Sequence, residues 1–350
     1  MSVVPEVLLV VTILALAAAV LYGTADFLGG VASRRARVFA VLALTVPAGA
    51  VLMVLAALLG GLLGHGGVLG HGGLGSPTAV GSWSAAGWAA GSGVCGACGL
   101  VAFYAGFASA PISVVAPVAA LVSAVLPVGV AVAGGERPGA GVIAGGLICL
   151  VAIVLVSAQP AHGRPPAHGG QEHDTAQDDG ATGQGNAVTG LGDGAGVRGS
   201  ARPGTAGRPA AASRLRALGY GLAAGAGFGL FFICLKNAGQ SGVLWPVAIS
   251  RSAGSVVAFG IALATGTRLW PRRGSGITRI ALASGAIDAA ANVCYVLATR
   301  AGLFGLAVVI TSLYPGMTVL LARLLLGERM QRLQRAGLLL AAVGVVLVTV

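Results

Sequence analysis

The sequence contains few charged residues. Only 9% of its 350 residues are Asp, Glu, Lys or Arg, whereas roughly a quarter of an ordinary soluble domain is charged. Hydrophobic residues make up 56% of the chain. This composition excludes an ordinary water-soluble domain and predicts a membrane protein.

The motifs of common enzyme sites are also missing. The chain has no H-E-x-x-H zinc motif, no G-x-S-x-G nucleophile motif and no G-x-x-x-x-G-K-[ST] phosphate loop. Its five histidines all lie outside the long apolar runs. We therefore expect no catalytic residue, no cofactor and no metal site. The missing phosphate loop also argues against an ATP-driven pump.

Five cysteines in so hydrophobic a chain do not indicate a disulfide framework. Cys95 and Cys98 form a C-x-x-C pair inside an apolar, Gly-rich run, without a second pair or a nearby His. We interpret them as small packing residues, with a metal or redox site as the alternative. His65 and His71 lie in a Gly-rich loop, where solvated histidines are the interpretation and a weak metal site is the alternative.

Ten long apolar runs fill most of the chain. A run of about 20 apolar residues spans the hydrocarbon core, where each backbone polar group must be paired within its own segment, so each run predicts a helix. The predicted spans are 7–30, 38–63, 83–108, 111–133, 139–158, 216–236, 244–266, 277–300, 303–326 and 333–350. Glycines four residues apart predict close helix packing. They are Gly87 and Gly91, Gly141 and Gly145, and Gly221, Gly225 and Gly229.

The first apolar run has some features of a secretory signal. It lacks a positive N-terminal region, carries Glu6 instead, and continues to Tyr22. We expect a retained first membrane helix, with cleavage as the alternative.

The chain contains an internal repeat. Residues 120–156 and 312–348 each contain an apolar run, a Gly-Glu-Arg turn and a second apolar run in the same register. Five spans precede the stretch 159–214 and five follow it, so the two halves enter the membrane in opposite senses. The sequence predicts an all-α polytopic membrane protein with ten transmembrane helices as two inverted five-helix repeats. This arrangement is typical of secondary transporters.

The repeat predicts three units. Residues 1–158 and 215–350 are the two five-helix repeats, and 159–214 is a linker rich in Gly, Ala and Pro. The linker has no apolar period and cannot bury enough surface to offset the cost of ordering, so we expect it to be disordered.

The net charge of +11 arises from basic residues in loops, and these form no clustered face for nucleic acid. Sixteen arginines lie in loops on one side of the predicted topology, and three basic residues lie on the other. By the positive-inside rule, the first side is cytoplasmic and both termini lie outside. The expected location is the cytoplasmic membrane, as a multi-pass protein, and both a monomer and a homodimer remain open.

Ionisable side chains within spans mark candidate binding sites, since each costs about 2.5–3.5 kcal/mol at mid-membrane. Asp26 follows Tyr22 by one helical turn, so the carboxylate and the hydroxyl share a face of span one. Arg251 lies inside span seven. Two alternatives stay open: Asp26 reaches water near the membrane surface, or Arg251 pairs with Asp288 to hold helices together.

Span eight adds a polar stripe, because Asp288, Asn292 and Tyr295 follow one another at i, i+4 and i+7. We expect Asp26 or Asp288 to carry a coupling proton, since desolvation disfavours a buried anion. The carboxylate farther from Arg251 would be the better carrier. Uncoupled facilitated diffusion is the alternative.

Prolines and two glutamates complete the candidate residues. Pro117 and Pro127 in span four and Pro315 in span nine open a helix locally and expose carbonyls, which predicts either a cavity wall or a packing kink. Glu136 and Glu328 occupy the two Gly-Glu-Arg turns, where we interpret them as helix caps and interfacial charges.

Two segments carry a family resemblance. L-Y-G-T-A-D-F-L-G-G (21–30) and S-L-Y-P-G-M-T-V-L-L-A-R-L-L-L-G-E-R (312–329) resemble the EamA type of the drug/metabolite transporter superfamily. The resemblance implies ten helices in two inverted halves, a central cavity, and export or uptake of small metabolites without ATP. It also implies cytoplasmic termini, opposite to the charge count. The expected partners are the lipid bilayer, a small-molecule substrate and H⁺, and a non-transporting receptor, membrane enzyme or scaffold is the alternative.

Overall fold

The computed structural model describes residues 3–33, 38–63, 83–109, 112–157, 208–266, 276–327 and 331–349. In these ranges the chain forms helices with short connections and no strand. The helices are α1 (Val3–Ser33), α2 (Val38–Leu63), α3 (Trp83–Ser109), α4 (Ile112–Ala133), α5 (Ala140–Ser157), α6 (Arg208–Gly239), α7 (Leu244–Ala264), α8 (Ile277–Ala301), α9 (Phe304–Thr311), α10 (Tyr314–Leu326) and α11 (Arg332–Thr349). The predicted all-α class is confirmed.

Within these residues, nine segments are long and apolar enough to cross a bilayer. They correspond to predicted spans one to nine, and the tenth predicted span is α11, which is not among the nine. Large apolar side chains cover the outer surface, with Ile13 56%, Leu59 56% and Val256 73% exposed. Such a surface suits lipid, because an apolar surface of this extent in water would promote association. The protein is therefore a multi-pass integral membrane protein.

The predicted ninth span, 303–326, consists of two helices instead of one. α9 ends at Thr311 and α10 begins at Tyr314, with Pro315 in its first turn. Proline has no N–H to bond the carbonyl of Thr311, which favours an interruption at this point. By contrast, α4 stays a single helix around Pro117 and Pro127.

The sixth helix begins earlier than its apolar run predicts. α6 starts at Arg208, inside the stretch 159–214 predicted as linker. Pro209 suits the first helical position, and the alanines that follow are strong helix formers, so the helix extends beyond its apolar part. The rest of the predicted linker lies outside the described residues, as do His65, His71 and Glu328.

Close helix packing occurs at two of the three predicted glycine sets. Gly221 faces Val118, Gly225 faces Val122 and Gly229 faces Leu126, so the α6 glycines lie along α4. Gly145 of α5 lies against the backbone of Gly344 in α11. Gly87 and Gly91 have open space where a side chain would be, so that pair does not mediate packing within the described chain.

Helices that precede the predicted linker pack against helices that follow it. α1 packs on α8 and α3 packs on α6, while α2 contacts α7 and α5 contacts α11. Two glycines on these helices also make similar contacts. Gly93 of α3 abuts the carbonyl of Ser250 in α7, and Gly285 of α8 abuts the carbonyl of Thr45 in α2. A side chain at either glycine would collide with that carbonyl, so glycine permits these contacts.

The two Gly-Glu-Arg turns begin with the same backbone conformation. Gly135 has a φ of 93° and Gly327 has a φ of 67°. Both lie in the left-handed region, which glycine adopts without steric cost. Gly327 directly follows α10, and Gly135 lies two residues after the end of α4, so each left-handed glycine lies just beyond a helix end.

Candidate functional site

A cavity of about 660 Å³ lies between helices of the two halves. Its walls come from α1 to α8 and from α10. Six of the eight side chains predicted from the sequence line it: Tyr22, Asp26, Arg251, Asp288, Asn292 and Pro315. Pro117 and Tyr295 are not among the described residues that line this cavity. The structure thus brings together most of the ionisable residues that the sequence distributes over spans one, seven and eight.

A polar network joins α7, α8 and α1 along one wall. Arg251 forms an ion pair with Asp288 on the neighbouring helix. One turn further along α8, the amide of Asn292 donates to the main-chain carbonyl of Asp288, with an N···O distance of 2.6 Å. The Tyr22 hydroxyl donates to the side-chain oxygen of Asn292 at 2.9 Å. The i, i+4 spacing of Asp288 and Asn292 makes this chain of contacts possible.

The ion pair is one of the two alternatives that the sequence left open for Arg251. The Arg251 side chain is 13% exposed and that of Asp288 is 26% exposed, so both charges are largely removed from solvent. Neither charge would be tolerated alone at this depth, because an unpaired buried ion costs several kcal/mol. The pair therefore fastens α7 to α8 and neutralises both side chains.

Asp26 differs from Asp288 in its surroundings. Its side chain is exposed and lines the cavity one turn beyond Tyr22. Among the described residues it has no ion pair and no hydrogen bond. Asp26 thus presents an uncompensated carboxylate to the cavity.

Aromatic side chains form much of the remaining wall, and the sequence analysis did not identify them. The Tyr22 ring lies 6.2 Å from the rings of both Phe232 and Tyr314. The rings of Phe39 and Tyr104, which also line the cavity, are 6.4 Å apart. A signal was present for α6, because Phe228, Phe231 and Phe232 have the i, i+3, i+4 spacing of a single helix face.

Tyr295 lies behind this wall. It is fully buried, its hydroxyl donates to the carbonyl oxygen of Phe232 at 2.8 Å, and the two rings are 4.8 Å apart. Tyr295 therefore supports Phe232, which lines the cavity. Pro117 lies in α4 next to Ala116, a lining residue.

Glu136 connects the halves at one end of α9. Its two carboxylate oxygens accept hydrogen bonds from the main-chain N–H groups of Phe304 and Gly305, at 2.8 and 3.0 Å. These N–H groups lie in the first turn of α9, where main-chain N–H groups have no acceptor within the helix. The helix-capping role predicted for Glu136 is confirmed, and the capped helix belongs to the other half of the chain.

Comparisons with known proteins agree with this architecture. Residues 215–350 match the model of the EamA-like transporter family. No curated protein matches the chain. One solved structure, described as "Crystal structure of protein", is similar in fold, with a TM-score of 0.62 and 16% sequence identity over 96% of this chain and 95% of that chain. The resemblance predicted from the sequence is confirmed over residues 215–350, which are similar to the EamA-like transporter family.

Proposed function

We propose that the protein is a secondary transporter, either an exporter or a permease, that moves a small metabolite or drug-like molecule across the cytoplasmic membrane. The observation that carries this proposal is a cavity between helices of both halves, lined by ionisable residues of membrane spans. Such residues are costly in a membrane and mark substrate or ion pathways. The family match supports transport, and the sequence lacks a phosphate loop for ATP.

The substrate site of this proposal consists of Tyr22, Asp26, Arg251, Asp288 and Asn292, which share one cavity. Tyr314 and Pro315, which follow the interruption between α9 and α10, line the same cavity. Tyr295 and Pro117 take supporting roles in the wall.

The proposed architecture is a ten-helix inverted repeat, in which α9 and α10 together form span nine and α11 forms span ten. The matched helix pairs support it, as do the matched contacts at Gly93 and Gly285. The left-handed glycines of the two Gly-Glu-Arg turns give independent support. Rocking of one half against the other would then expose the cavity to each side in turn.

Proton coupling is the proposed driving force, and Asp26 is the proposed carrier. A guanidinium in contact stabilises a carboxylate anion, so the Arg251 contact makes Asp288 the poorer proton carrier. Asp26 lacks such a partner among the described residues. Its position on the cavity would let it exchange protons with both sides as the halves move.

The three proposed units are the repeats 1–158 and 215–350 and a passive tether between them. Replacing residues 165–205 by a Gly/Ser linker of equal length should leave folding and transport unchanged, because a flexible chain only has to span the same distance. Purified yield and solute exchange in proteoliposomes measure the two properties. A loss of either would mean that this segment does more than connect the repeats.

The proposed orientation has the linker in the cytoplasm, from the excess of arginines on that side of the predicted topology. Gly170→Cys and Gly70→Cys are made separately in a background without native cysteines and treated with a membrane-impermeant maleimide on intact cells. Labelling at position 70 alone supports this orientation. Labelling at position 170 alone would reverse it.

Transport itself is tested in two steps. Metabolites retained by deletion and overexpression strains are compared without preselection, and the solute that differs most is then used for counterflow in proteoliposomes. A transporter exchanges labelled solute across the sealed bilayer, whereas a receptor, enzyme or scaffold does not. Absence of counterflow for every solute that differs between the strains would contradict the proposed function.

A further inference from the structure

We propose that the cargo is an organic cation with an aromatic or other bulky apolar body, and that Asp26 is its counterion. This inference rests on the proposed function, because it assigns a substrate class to the same cavity. It uses the charges on the cavity wall, the rings around Asp26 and the size of the space.

The charged side chains that line the cavity leave a net negative charge among the described residues. Three of the described lining residues are charged, namely Asp26, Arg251 and Asp288. Arg251 and Asp288 neutralise each other through their ion pair. Asp26 leaves one negative charge that a ligand can compensate. A cation would meet a favourable partner there, and an anion of the same shape would meet an unfavourable one.

The groups around Asp26 favour a cation over other ways of compensating its charge. Tyr22 lies one helical turn before Asp26 on α1, its ring lies 6.2 Å from that of Tyr314, and Tyr104 lines the same cavity. The faces of aromatic rings attract cations, and quaternary ammonium ligands are recognised by such ring clusters. A carboxylate beside several rings therefore combines a counter-charge with apolar contact area.

The size of the cavity suits a whole organic molecule better than a bare metal ion. Its volume of about 660 Å³ falls in the range of roughly 300–1,000 Å³ found for drug-sized ligands. Phe228, Phe231 and Phe232 of α6 supply an apolar surface in the same cavity. An aromatic or aliphatic body would bury itself there while its charged group contacts Asp26.

A pair of probes with nearly the same shape and opposite charge tests this inference. Tetraphenylphosphonium and tetraphenylborate are each added to the full chain purified in detergent, and binding is measured by equilibrium dialysis with micelles alone as background. We expect the phosphonium to bind at least about tenfold more tightly than the borate, because the Asp26 carboxylate attracts the cation and repels the anion. Equal binding of both ions, or no binding of the phosphonium, would overturn the proposal.

Single substitutions test which residues bind the phosphonium. Asp26→Asn should weaken phosphonium binding by about 10- to 100-fold, because the counter-charge is lost while the shape is kept. Asp26→Glu should restore most of the affinity. Tyr104→Leu should weaken binding by about 3- to 30-fold through the lost ring face. Glu6→Gln is the matched control, because Glu6 is exposed outside the cavity, and its affinity should equal that of the parent.

Size-exclusion profiles and thermal unfolding in detergent show whether each variant is folded. A folded Asp26→Asn variant with the parent's affinity would overturn the role of Asp26. Counterflow of labelled phosphonium in proteoliposomes separates this inference from the proposed function. Binding that depends on Asp26 without any counterflow would support the cation site and contradict transport.

Discussion

The two halves of the molecule contribute different chemistry to one cavity, although their helices pack in matched pairs. The first half contributes Asp26 of α1, which is exposed and unpaired among the described residues. The second half contributes Arg251 and Asp288, which form a largely buried ion pair. Helix α1 thus carries a free charge, whereas α7 and α8 carry a structural charge pair.

The halves also differ at their fourth helices. α4 is continuous, whereas the corresponding span of the second half is divided into α9 and α10. All residues of α9, Phe304–Thr311, are buried, and Glu136 of the first half caps its start. The divided span therefore depends on the opposite half for one of its caps.

The largest expected effect is on stability, from breaking the ion pair. Asp288→Asn leaves Arg251 largely buried without a counter-charge, which should lower the free energy of unfolding by about 3–5 kcal/mol. Unfolding in mixed micelles with a denaturing detergent, followed by circular dichroism, measures the change. The double variant Arg251→Met/Asp288→Leu should be near the parent, because an apolar pair replaces the ions. If Asp288→Asn is as stable as Asp26→Asn, the contrast between the two carboxylates is wrong.

The next largest effect is expected on stability, from substitutions at the two glycines that contact a carbonyl. It tests whether the two halves pack in an equivalent way. Gly93→Ala and Gly285→Ala each place a methyl group against a main-chain carbonyl, and each should cost about 1–3 kcal/mol of stability. The same unfolding measurement applies. Gly87→Ala has open space and should change stability by less than about 0.5 kcal/mol. Very different costs at positions 93 and 285 would contradict the matched packing.

A smaller effect is expected at the cap of α9. Glu136→Gln keeps one acceptor oxygen but loses the charge and the second acceptor, so stability should fall by about 1–2 kcal/mol. Glu6→Gln is the control, since Glu6 is exposed at the start of α1. Equal stability of the two variants would mean that the cap contributes nothing measurable.

The membrane helices could be predicted from the sequence, because an apolar run long enough to cross the bilayer has to be helical there. Local opening was predicted at Pro117, Pro127 and Pro315, but of these three prolines only Pro315 lies next to an interruption, at Ser312 and Leu313. The prediction was wrong for Pro117 and Pro127, which leave α4 intact, because composition does not distinguish the cases. Asp26, Arg251 and Asp288 were found because charges are rare in spans. Phe39, Tyr104 and Tyr314 were missed, because apolar rings are ordinary in any span and only the packing of helices brings them to one cavity.

The central claim is that Asp26, and not the paired Asp288, couples transport to protons. Proteoliposomes with the parent, Glu6→Gln or Asp26→Asn receive an imposed pH gradient, with the membrane potential clamped by K⁺ and valinomycin. The solute is supplied at concentrations scaled to each protein's affinity, and its accumulation is compared with its energy-independent exchange. The parent and Glu6→Gln should accumulate solute against its gradient, while Asp26→Asn should exchange solute but reach only equal concentrations on both sides. Accumulation by Asp26→Asn at the parent's level would contradict the account.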